Sequence, residues 1–100
     1  MSYQIALEEE AEQDIDAATA WMAQHSPDKA TLWFFDVQEA IASLQKLPFR
    51  CPLAPESKTF GAEIRHLIFG KYRILFIVID ETVYVLRVRH GAQEVLRPDE

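Results

Sequence analysis

The chain has 100 residues, 49% of them hydrophobic and 26% charged, the composition expected of a single ordinary globular domain spanning 1–100. Its net charge of −6 argues against tight, non-specific binding to nucleic acid, which depends on phosphate contacts. One cysteine, Cys51, excludes an internal disulfide, and His25, His66 and His90 lie far apart with no CxxC or HExxH spacing, so neither metal nor cofactor is expected.

The N-terminus MSYQIALEEE lacks the basic and apolar regions of a signal peptide. No apolar run approaches the roughly 18 residues needed to span a bilayer, so a cytoplasmic location and no membrane partner are expected. Tyr3, Ile5 and Leu7 alternate with Ser2, Gln4 and Ala6, which predicts a short first strand. Ala11, Ile15, Ala18 and Met22 then recur at helical spacing and predict a helix over about residues 8–24. Its acids Glu8, Glu9, Glu10 and Glu12 sit where a helix dipole favours negative charge.

Ser26-Pro27-Asp28 is a helix start, a capping serine followed by proline at the first helical position. The second helix carries Ala30, Trp33, Phe34, Val37, Ile41 and Leu44 on one stripe, covers about residues 27–47 and is expected to stop before Pro48. The short connection makes the two helices an antiparallel hairpin. Leu32 and Phe35 lie off the stripe, as the edge of a broad buried face or as contacts for another chain. Residues 48–62 hold three prolines and a glycine without periodicity, and read as a long loop.

Three strands follow, at Glu63–Phe69, Tyr72–Ile79 and Thr82–His90, joined by the turns Gly70-Lys71 and Asp80-Glu81. Residues 91–100 are a short helix or a frayed end. The order β-α-α-β-β-β predicts an α+β fold, a helical hairpin packed on one face of a small, mostly antiparallel sheet.

Tyr72–Ile79 is apolar at both parities apart from Arg73, yet one helical hairpin covers one face only. The other face, with Leu75 and Ile77, is therefore expected to bind a partner or a second copy; the alternative is that residues 48–62 and the tail fold over it. Charge is also divided. Residues 1–47 hold nine acids against Lys29 and Lys46, whereas residues 48–100 hold seven acids against eight bases. Arg65, Arg73, Arg87, Arg89 and His90 fall on the last three strands. Given a suitable register, Arg65 and Arg73 would be neighbours across the hairpin on the less covered face, a cationic cluster suited to phosphate or carboxylate. His90 is a candidate general acid or base, and Glu63 a candidate base or the ion-pair partner of Arg65.

The run from Arg65 to Val78, R-H-L-I-F-G-K-Y-R-I-L-F-I-V, and that from Val83 to Ala92, V-Y-V-L-R-V-R-H-G-A, resemble the C-terminal half of the RelE/ParE toxins. Ala11-Glu12-Gln13-Asp14-Ile15 and Leu44-Gln45-Lys46-Leu47-Pro48 resemble the family's first helix and second-helix end, so the likeness covers nearly the whole chain. The resemblance implies a type II toxin neutralised by a cognate antitoxin, in growth arrest and plasmid stabilisation, as a homodimer or a toxin–antitoxin heterotetramer.

It also implies one of two activities. RelE-like members cut mRNA on the ribosome, a role that would fall here to Arg65, Arg73, His90 and Glu63. ParE-like members poison DNA gyrase or another topoisomerase by protein contact, through surfaces that here would include Leu75, Ile77, Arg87 and Arg89. The His90-Gly91-Ala92 sequence, the acidic net charge and the absence of tyrosine in residues 91–100 favour the ParE type. Gln93 stands where relatives often have a second basic residue. A non-toxic binding module of the same fold is the third reading.

Overall fold

The structure, a computed structural model, describes residues 2–98. Its elements are β1 (Gln4–Leu7), α1 (Glu9–Ala23), α2 (Pro27–Ala42), α3 (Glu56–Phe60), β2 (Arg65–Phe69), β3 (Tyr72–Ile79) and β4 (Thr82–His90), with 3-10 turns at Ser43–Gln45 and Pro48–Arg50. The expected β-α-α-β-β-β order is present, with the short α3 added to it. The sheet runs β1-β4-β3-β2 and is mixed: β1 pairs parallel to β4, and the other pairs are antiparallel.

The helical hairpin covers one sheet face, as its stripes require. Ala11 and Ile15 of α1 and Val37 and Ile41 of α2 pack with Leu44 onto Ile74, Phe76, Val83, Val85 and Val88. Ser26 caps α2 by accepting a hydrogen bond from the Lys29 amide, with Pro27 at the first helical position. Leu32 and Phe35 are exposed, so the buried face of α2 is narrower than its apolar content suggests.

Four sequence expectations change. The helix expected to reach residue 47 ends at Ala42 and tightens into the 3-10 turn, after which Lys46 is extended and Leu47 is left-handed at φ 50°. Residues 48–62 are not a loop throughout: they form the second 3-10 turn and α3, and Leu53 bridges to Arg65 at the edge of β2. The first hairpin strand starts at Arg65, two residues later than expected.

The fourth change concerns the second sheet face. Leu75 is 1% exposed and packs with Ala54 and Ile64, with Ile77 and Leu86 against them. The chain covers this face itself. Residues 54–64 do most of it, and the tail is neither helical nor frayed there, since Leu96 is buried and its amide donates to Glu56. Leu75 and Ile77 are therefore not an open docking face, and the argument for a partner from an uncovered strand lapses.

Candidate functional site

Hairpin register decides which charged groups meet. The two-residue turn Gly70-Lys71, with Gly70 left-handed at φ 56°, pairs Phe69 with Tyr72, and so Ile68 with Arg73 and Arg65 with Phe76. Cross-strand partners share a face, and Arg65 lies three residues from Ile68, so Arg65 and Arg73 occupy opposite faces of the sheet. The cationic cluster expected from the sequence does not form.

Arg65 lies on the helix side. Its guanidinium donates to the Cys51 carbonyl at 2.7 Å, lies 5.0 Å from the Phe49 ring centroid and reaches the exposed carboxylate of Glu63 at 3.4 Å. Glu63 is thus its ion-pair partner, as one of the two sequence readings had it. Burial pushes the Cys51 thiol up, with Arg50 and Arg65 working against the rise, so this sulfur is an inert part of the core.

Arg73 faces the other way, into the only polar position of an otherwise apolar strand. It is held by Glu56 of α3, whose side chain is fully buried, in a bidentate ion pair at 2.9 and 2.7 Å. The Leu96 amide donates to the same carboxylate at 3.0 Å, and His66 Nδ1 lies 3.2 Å from Arg73. Burial acts to raise the Glu56 pKa, but the hydrogen bonds from Arg73 and from backbone amides outweigh it and hold the carboxyl at about 2. The bonds to Glu56 likewise raise Arg73, whereas burial and the neighbouring Arg73 push His66 down. This fork is spent on Glu56 and is not offered to a phosphate.

Arg87 and Arg89 also have structural tasks. A bulge between Leu75 and Phe76 pairs Leu75 with Arg87 and Phe76 with Val85. Arg87 reaches α1, where it bonds Asp14 at 2.7 and 3.1 Å, and the Val88 amide donates to the same carboxylate at 2.9 Å. Asp14, quoted above only as part of a helix motif, ties the first helix to the last strand. Arg89 is 5% exposed and donates to the Glu94 carbonyl at 2.9 Å, holding the tail.

His90 ends β4 on the helix side, opposite Tyr72, with ring centroids 5.1 Å apart. The Ala92 amide donates to Nδ1 at 3.0 Å, which places the proton of the neutral ring on Nε2. Gln93 accepts from the His90 amide at 2.7 Å, a turn-forming use of this side chain. Beside the ring is an open cleft of about 490 Å³ lined by Ala17, Ala18, Trp21, Tyr72 and Val88. Along β3, His90 is four residues from the partner of Arg65, about 13 Å at strand rise. The histidine, the two arginines and Glu63 do not converge on one point.

Sequence reasoning missed Glu56 and Leu96. A signal for the former existed, because Arg73 on a strand apolar at both parities requires a buried anion. No metal-binding group of His, Cys, Asp and Glu occurs among the described residues, and no helix of theirs is long and apolar enough to cross a membrane.

Comparison with known proteins places this architecture. No curated protein matches the chain. Among solved structures, it is similar to the chromosomal ParDE toxin–antitoxin system from P. aeruginosa, with TM-score 0.75, 22% identity, and 89% of this chain and 96% of that one covered. It is also similar to the RelBE2 toxin–antitoxin complex from Mycobacterium tuberculosis, with TM-score 0.59, 26% identity, and 90% and 99% covered. The family model for the ParE toxin of the type II toxin–antitoxin system parDE matches residues 5–95, so this chain belongs to the ParE toxin family.

Proposed function

We propose that this chain arrests growth as a protein-binding toxin, acting on DNA gyrase or another topoisomerase and neutralised by a cognate antitoxin. The observation that carries this reading is the dispersal of its catalytic candidates. Cutting RNA needs a base for the 2′-hydroxyl, charge on the phosphate and an acid for the leaving oxygen, all within reach of one another. Here Arg73 is locked to Glu56 on one face, while Arg65 and His90 share the other face but stand about 13 Å apart along β3. A gyrase poison needs a surface and no such assembly. That both similar structures are toxin–antitoxin systems supports the antitoxin as second partner.

One assay separates the mechanisms. Purified protein is mixed with gyrase and supercoiled plasmid, and in parallel with translating ribosomes and a reporter mRNA. The expected result is gyrase inhibition, relieved by a cognate antitoxin, with the mRNA intact. Codon-phased mRNA cuts lost on His90→Ala, with gyrase unaffected, would establish the ribonuclease and overturn this reading.

A further inference from the structure

In the antiparallel register of β3 and β4, Arg73 lies directly opposite Arg89, so two guanidinium side chains are cross-strand neighbours on one sheet face. Like charges in that arrangement repel each other. The pair is also withdrawn from water, with the Arg73 side chain 12% exposed and Arg89 5%. Acceptors for the two come from segments far apart in the chain. Glu56 of α3 takes the Arg73 fork at 2.9 and 2.7 Å, and the Glu94 carbonyl of the tail accepts from Arg89 at 2.9 Å. The two segments also meet each other, because the Leu96 amide donates to the Glu56 carboxylate at 3.0 Å. One carboxylate therefore joins sheet, α3 and tail.

Apolar support for these segments is slight. Ala54 and Ile64 pack on Leu75, with Ile77 and Leu86 against them, and Leu96 is the one buried side chain among residues 94–98. The two segments differ in how they can leave. A tail that lifts alone leaves Glu56 paired with Arg73 and admits water to both. An α3 that lifts beneath a closed tail takes the carboxylate away from Arg73 and from the Leu96 amide while both stay buried. A buried guanidinium without its anion is among the most destabilising defects a fold can carry.

We infer that α3 and the tail are the two parts of a latch over the Arg73–Arg89 pair, with Glu56 as its catch. The tail lifts first and α3 follows, while the helix side of the sheet stays folded. Open, this face presents two adjacent guanidiniums to solution. Because the coupling runs through one carboxylate it is reciprocal: closure of either segment favours closure of the other by the same factor. The latch belongs to the chain alone and does not depend on which target the chain acts on.

Native-state hydrogen exchange of the full chain in low urea tests it. The reporters are the amides of Ser57, which donates to Ala54 in the flap, of Leu96 in the tail and of Val88 on the helix side. In wild type, protection at Ser57 and Leu96 is expected to be roughly tenfold or more below that at Val88, and less sensitive to urea, because the latch exposes less surface than global unfolding. Leu96 is expected to be no better protected than Ser57. Leu96→Ala should speed exchange at Ser57 roughly tenfold, and Glu56→Gln should speed exchange at Leu96 in turn. Leu96→Ala should also raise phenylglyoxal labelling of Arg73 and Arg89, with labelling of Arg87, which bonds Asp14 outside the latch, unchanged. Ser57 exchange indifferent to Leu96→Ala would overturn the coupling, and Leu96 better protected than Ser57 would overturn the order of opening. All three amides following one urea dependence, or Arg87 labelled as fast as Arg73, would overturn the latch itself, since no part of the fold then opens before the whole.

Discussion

On one side of the sheet, α1 and α2 lay continuous apolar stripes over Ile74, Phe76, Val83, Val85 and Val88. On the other, a five-residue helix, an irregular segment and the tail cover Leu75 with a small apolar cluster and a buried ion pair. The difference follows from what each side has available. Two helices of 15 and 16 residues are held mainly by their apolar area, with Asp14 adding one polar tie to β4. Residues 54–64 supply only Ala54 and Ile64, so their placement depends on Glu56 meeting Arg73. Apolar burial sets how strongly the first layer holds, and a geometric match sets where the second one sits.

Removing apolar volume from the helix side should have the largest effect. Phe76 is fully buried there, and Phe76→Ala is expected to cost about 4 kcal/mol, read as a lower urea midpoint at unchanged m-value. On the other side, Glu56→Gln leaves the Arg73 charge buried without its anion and is expected to cost about 3 kcal/mol. The double change Glu56→Leu with Arg73→Met should recover most of that stability, because the desolvation of both charges is then avoided. Were Glu56→Gln harmless, α3 would be held by its apolar contacts alone and the contrast between the layers would vanish.

The same carboxylate predicts acid sensitivity. Its folded pKa of about 2 lies below the ordinary 4.5, so its contribution is complete above pH 4.5 and is lost as pH falls towards 2. The contribution is about 3 kcal/mol, and the corresponding slope should be absent from the acid titration of Glu56→Gln. A smaller effect tests the helix side's polar tie. Asp14→Ala strands the Arg87 guanidinium and the Val88 amide and should cost about 2 kcal/mol, with faster hydrogen exchange at Val88. No loss there would make the helix layer purely apolar in its energetics.

Much of this was legible in the residues. The two long strands, Tyr72–Ile79 and Thr82–His90, match the sequence reading at both ends, and the two-residue turns Gly70-Lys71 and Asp80-Glu81 fix three of those four ends. The opposition of Arg65 and Arg73 was legible too: a Gly70-Lys71 turn fixes Ile68 against Arg73, an odd number of residues from Arg65. The cationic cluster was an error of register, not of propensity. By contrast, α3 has five residues, too few to show a period, and three prolines around it mimic a loop. The bulge that gives Arg87 to Asp14 has no marker in a run of alternating valines and arginines. The second helix tightens into a 3-10 turn after Ala42, ahead of extended Lys46 and left-handed Leu47, and no residue in that run announces the change.

The parallel pairing of β1 with β4 has a consequence for synthesis. Gln4 lies beside Thr82 and Leu7 beside Val85, so the first strand made is among the last to find its partner. About 80 residues separate the two, roughly 4–16 s of translation at ordinary rates. Through that interval the helical hairpin has no sheet to lie on, and the valines it will cover have not yet been made. The finished shape therefore appears abruptly, once β4 has been made, and the nascent chain has no folded version of itself to present before then.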